Sequence, residues 1–112
     1  MKDAYKATRR LSQKCGDFTA LFTVADAMGI AAMKALFKEG KRVPEDCSII
    51  AIDGIEMSKY TTPTLTTLIQ PREQMGEEAV KILMELLSGG KNRHTCLETR
   101  LRKGETLVSK NG

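Results

Sequence analysis

Two aspartates, Asp26 and Asp53, each close a short apolar run, "ALFTVAD" at 20–26 and "SIIAID" at 48–53. A carboxylate in such a place is either a turn-former or an acceptor for ligand hydroxyls, which an ionised group bonds strongly. Asp26 opens a helical pattern, and its side chain is expected to cap the orphan amides of the first turn. Asp53 runs into the polar loop "GIEMSKYTTPT", so both roles stay open for it on local grounds.

The other reactive side chains form no constellation. Cys15, Cys47 and Cys96 are odd in number and widely spaced, with no CxxC pair and only His94 as a partner. That fits neither a zinc site nor a disulfide framework, and it suits a reducing cytosol. His94 and Ser58 have no recognisable catalytic partner. No catalytic residue, metal or cofactor is expected, and the methionines read as gap-filling core.

The aspartates matter only if the chain brings them together. "FTALFTV", 18–24, is β-branched and aromatic and predicts a buried strand. Residues 26–39 predict a helix, with Ile30, Met33 and Phe37 at spacings of three and four and Gly40 at its end. "CSIIAI", 47–52, predicts a second strand after a Pro44 turn. A strand, a helix and a strand at this spacing make a right-handed βαβ unit with parallel strands. Asp26 and Asp53, each just past a strand, then face the crevice where open parallel sheets bind ligands.

The flanking segments complete an α/β pattern. Residues 3–14 read as a basic helix, and "LTTLIQ", 65–70, as a third strand. Pro71 starts a helix to about residue 88, whose apolar stripe is Met75, Ala79, Ile82, Leu83 and Leu86. "HTCLETRLR", 94–102, alternates like an outer strand, and the tail from Gly104 carries little signal.

With 112 residues the chain fits one domain at most. The net charge of +4 raises nucleic acid as a partner, but the cations are scattered and sit mostly at predicted helix or chain ends, which favours a solvated surface. Aromatic content of 4% leaves little for stacking on bases. No apolar run approaches the ~18 residues that would span a membrane, and "MKDAYKATRR" lacks a signal-peptide core, so a cytoplasmic, soluble chain is expected.

Several stretches taken together resemble the lactose/galactose-repressor (LacI/GalR) family of bacterial transcription regulators. They are Asp26–Met28 opening a helix, "RVPED" at 42–46, the strand ending in Ile52–Asp53 and, above all, "PTLTTLIQPREQMGEEAV" at 63–80. The resemblance covers residue 18 to about 101 and is to the C-terminal part of the effector-binding region, which has a periplasmic-binding-protein-like fold. It implies a truncated piece of a two-lobed α/β structure, a parallel sheet flanked by helices, with a sugar or nucleoside-like effector in the cleft. Residues 1–64 and 94–103 would belong to the C-terminal lobe, 65–71 to a crossover between lobes, and 72–90 to a helix of the N-terminal lobe.

Further implications attach to single residues. The position of Asp53 contacts ligand hydroxyls in the family, which tips its two readings towards a ligand hook. Ala25 stands where the family often has Asn or Thr for ligand contact, and Gly54 where it often has a second acidic or amide residue. Ile30, Met33 and Tyr60 fall near a two-fold interface, which implies a homodimer. DNA would be reached only through a domain missing from this chain, with ligand binding coupled to DNA binding in the full-length parent. Two rivals are a transport component of the same fold and a phosphoacceptor signalling domain; the second needs a lysine that "LTTLIQP" lacks.

Overall fold

The computed structural model describes residues 1–110. Helix α1 (Lys2–Lys14) leads to strand β1 (Ala20–Phe22), helix α2 (Asp26–Lys38), strand β2 (Ser48–Asp53) and a short 3-10 turn (Glu56–Lys59). Strand β3 (Thr66–Ile69), helix α3 (Arg72–Leu87) and strand β4 (Arg100–Arg102) follow. The four strands form one sheet in chain order. β1, β2 and β3 are parallel, and β4 pairs antiparallel with β3.

The core forms because β2 alternates. Ile49 and Ala51 are fully buried on the face that meets Ala32 and Leu36 of α2, together with Cys47 and Leu65. Removing a Leu or Ile side chain of this kind from water contributes roughly 1.5–3 kcal/mol. α2 is rich in alanine on this face, Ala31, Ala32 and Ala35, which lets it lie close to the sheet. α1 packs on α2 and is tied to it where the Arg9 guanidinium donates to Glu39 Oε1 at 2.6 Å. That hydrogen bond holds the Glu39 carboxyl below the usual glutamate range.

The turn "RVPED" is closed by its own ends. The Arg42 amide and side chain donate to Asp46 at 2.7, 3.0 and 2.9 Å. These bonds hold the Asp46 carboxyl down at about 2 against an ordinary 3.8. Because the folded-state value is lowered, the contribution is complete above pH 3.8 and fades as pH falls towards about 2. A carboxyl-carbon NMR titration is expected to find Asp46 still ionised at pH 3; an ordinary midpoint would contradict the closed turn.

The segments 18–24 and 94–102 form strand only at Ala20–Phe22 and Arg100–Arg102, and β1 is an edge strand with Phe22 56% exposed rather than a buried one. β4, the outer strand, returns antiparallel after α3, so the parallel sheet gains one antiparallel edge. Residues 104–108, silent in sequence, are locked onto the sheet. The Thr106 hydroxyl donates to Ile49 O at 2.7 Å and accepts from the Thr66 amide at 2.9 Å, and its side chain is fully buried.

Helix α3 differs from the others in burying none of its residues. Its apolar stripe lies open, with Met75 45%, Leu83 55% and Leu86 40% exposed. The Arg93 side chain reaches back to Glu85 at 2.9 Å and to Thr95 Oγ1 at 2.8 Å, fixing the end of the helix to the returning chain.

Candidate functional site

Asp53 ends β2 beside Ile69, the last residue of β3. It is half-buried, and its Oδ1 accepts one long bond, 3.3 Å, from Gln70 Nε2. Most of its lone pairs therefore remain open to an incoming hydroxyl or amine. The backbone at this point is unusual. Asp53 has φ 136° and Gly54 φ 75°, so the strand leaves the sheet through two successive residues in the region that favours glycine. A side chain on Gly54 would also put its Cβ 2.7 Å from Ile69 Cγ1, so the position admits no second acidic or amide residue in this conformation.

Asp26 is not an N-cap. Ala25 occupies the cap position in extended conformation, and no side chain caps the helix. Asp26 is the first helical residue and has no exposed surface. Its Oδ2 accepts from the amides of Gly54, at 3.0 Å, and Ile55, at 2.9 Å. Its Oδ1 accepts from the Thr67 hydroxyl on β3. Both oxygens are thereby bonded within the protein, and none of the side chain reaches the surface. For the same reason it supplies no open acid for a Mg²⁺ ion, which removes the acidic partner that a phosphoacceptor domain requires.

Ala25 is half-buried, and its carbonyl accepts from Gly29 N at 3.0 Å and Thr23 Oγ1 at 3.2 Å. What it offers a neighbour is a methyl group. Arg72, at the start of α3, donates from Nη1 to Asp53 O and from Nη2 to Gly54 O, both at 3.3 Å. Sequence reasoning missed Thr67, Gln70 and Arg72; the motif "LTTLIQPR" contained all three, but only the register of β3 against β2 places Gln70 and Arg72 at Asp53 and Thr67 at Asp26. Ser58 is buried and bonded to Arg102, and His94 is exposed. Among the described residues no cluster of His, Cys, Asp or Glu is placed to hold a metal ion.

On a different face, Ile30 and Met33 line a groove of about 550 Å³ with Phe37, Val43 and Pro63. Both are half-buried, each with one side on the core and the other in the groove. Phe37, which the periodicity assigned only to the helix stripe, is 78% exposed. Tyr60 is also exposed, at 75%, and stands next to the groove rather than in its lining.

A mixed sheet of this order, with a carboxylate at the carboxyl edge of its parallel strands and a helix carried off the far end, defines a class. Residues 2–107 match the family described as periplasmic binding protein-like domain. The curated relatives include the HTH-type transcriptional regulator MalR of Clostridium butyricum, 40% identical over 88% of this chain and 30% of its own length. The HTH-type transcriptional repressor PurR of Aliivibrio salmonicida is 43% identical over 81% of this chain and 26% of its own. Among solved structures, a transcriptional regulator CelR–cellobiose complex superposes with TM-score 0.87 at 32% identity, covering 92% of this chain and 32% of that one. A dimeric lac repressor with a C-terminal deletion gives TM-score 0.85 at 28% identity, covering 95% and 39%.

The chain belongs to the LacI/GalR family of transcription regulators, within the effector-binding, periplasmic-binding-protein-like part of such proteins. It spans about a third or less of the length of the curated relatives named above. No helix among the described residues is long and apolar enough to cross a membrane.

Proposed function

We propose that these residues form one wall of a small-molecule effector cleft and one half of a dimer interface in a cytoplasmic LacI-type regulator, with no enzymatic activity of their own. The observation that carries this reading is Asp53, a half-buried carboxylate at the carboxyl edge of the parallel strands with most of its acceptor capacity unused. The solved CelR–cellobiose complex, and a LacI family regulator from Arthrobacter sp. FB24 solved with lactose, support a carbohydrate effector, with a nucleoside-like one as the alternative. Ala25 and Gly54 remove two hydrogen-bonding side chains from this wall, so the effector presents a less polar edge to it.

In this reading residues 1–64 and 94–103 form one lobe, 65–71 cross over, and 72–90 pack on the other. The bare apolar stripe of α3 supports that assignment, since such a face is normally covered. The effector favours one arrangement of the lobes, and the DNA-binding part of the full-length protein prefers one of those arrangements. The groove of Ile30, Met33 and Phe37, with Tyr60 beside it, is the dimer face.

The test is thermal unfolding of the full-length protein with cellobiose, lactose, adenosine and cytidine. At a hundredfold excess over its dissociation constant an effector contributes about 2.7 kcal/mol, a readily measured rise in melting temperature. No rise with any of the four would count against the reading. For the dimer face, Phe37→Asp combined with Tyr60→Asp, both largely exposed, is expected to shift the sedimentation of the full-length protein to that of a monomer with its melting curve largely kept. An unchanged dimer would move the interface elsewhere.

A further inference from the structure

We infer that Asp26 is a positioning residue for the effector-contacting carboxylate of Asp53, acting through a backbone clamp and never touching the effector; this rests on the reading of Asp53 above. A non-glycine residue at φ 136° is strained and persists only where its surroundings hold it. Two successive amides, Gly54 and Ile55, converge on one oxygen of Asp26, an arrangement possible only while the chain turns as it does at Asp53 and Gly54. The Thr67 hydroxyl fixes the other oxygen from β3, and β3 is itself in register with Asp53 through Ile69.

From the opposite side the Arg72 guanidinium holds Asp53 O and Gly54 O. The peptide groups that would have to rotate for Asp53 to relax are thus held on both their amide and carbonyl sides. The carboxylate is delivered to the cleft already oriented, so its ordering is not charged against binding. Asp26 is suited to this because it is buried at the amino end of α2, where the helix dipole favours an acceptor and water cannot compete for the two amides. The spacing is demanding. The two amides lie 28 and 29 positions along the chain, and the hydroxyl 41.

Asparagine at this position retains an oxygen that can face both amides, while its amide group faces a Thr67 hydroxyl turned to accept. Alanine leaves the two amides unpaired. The experiment uses the full-length protein and whichever of cellobiose, lactose, adenosine or cytidine stabilises it most. Calorimetric affinities are measured for Asp26→Asn, Asp26→Ala, Asp53→Asn and the double variants. Asp26→Ala is expected to weaken binding ~30-fold or more and Asp26→Asn only ~5-fold, in line with the usual cost of unpaired buried groups.

The decisive result is the coupling: in an Asp53→Asn background either change at Asp26 is expected to lose most of its effect. Hydrogen exchange in the segment 53–56, read without any added compound, is expected to quicken in the order wild type, Asp26→Asn, Asp26→Ala. If the alanine variant does not fold, the asparagine variant alone carries both readouts. Additive losses, or exchange unchanged by Asp26→Asn, would overturn the clamp. Unaltered affinity in Asp53→Asn itself would instead overturn the assignment of Asp53, with the exchange result still reporting on the clamp.

Discussion

Asp53→Ala is expected to abolish the rise in melting temperature that an effector gives the full-length protein, while leaving the unliganded melting temperature nearly unchanged. The side chain makes only one long bond, to Gln70, so its removal costs little fold stability. Charge-assisted hydrogen bonds to a ligand hydroxyl are worth roughly 1.5–3 kcal/mol each, and a carboxylate accepting two supplies enough for a loss of a hundredfold or more in affinity. Calorimetry and thermal shift with the same compound check it. A shift of wild-type size in the alanine variant would remove Asp53 from the cleft.

Gly104→Val is expected to destabilise the fold on the order of 3 kcal/mol, the upper end for forcing volume into a packed site. A Cβ at Gly104 would overlap the carbonyl oxygen of Thr64 and lie 2.8 Å from its carbon, both backbone atoms that cannot swing aside. The Gly104 amide donates to Thr66 Oγ1 at 3.0 Å and the Glu105 amide to Thr64 O at 2.6 Å, so displacing one strips the other. Thr106 would then leave its place between Ile49 and Thr66, exposing the amino ends of β2 and β3. The midpoint of urea unfolding of the full-length protein measures the effect; a change below ~0.5 kcal/mol, typical of an unconstrained surface position, would contradict it.

These two sites were unequally legible in the sequence. The strand–helix–strand order and the edge on which Asp53 lies follow from alternation, helical spacing and the parallel crossover, all of which act over a few residues at a time. The tail was not legible because Thr106 is held by partners 40 and 57 positions away, with no local pattern to betray it. Asp26 was misread for the same reason. Helix capping is a local rule, and an aspartate at the head of a helix satisfies it on paper, whereas its actual donors come from the next strand end and from β3.

Gly54 shows the reverse relation between sequence and site. In the sequence it stood out as a missing polar residue. In the fold it is the residue that lets the strand turn at φ 75° against Ile69, and the loss of a polar side chain accompanies the geometry that presents Asp53. The exposure of Phe37 likewise could not be read from its helical spacing. A stripe at three- and four-residue intervals says that a face is apolar, but not whether a strand or a second copy of the chain covers it.

The most direct test is a crystal structure of the full-length protein with the compound that raises its melting temperature most. An Asp53 carboxylate oxygen is expected about 3 Å from a hydroxyl or amine of that compound, with the methyl group of Ala25 against its apolar edge and the Asp26 carboxylate still on the amides of Gly54 and Ile55. A compound seated away from Asp53, or bonded directly to Asp26, would contradict it.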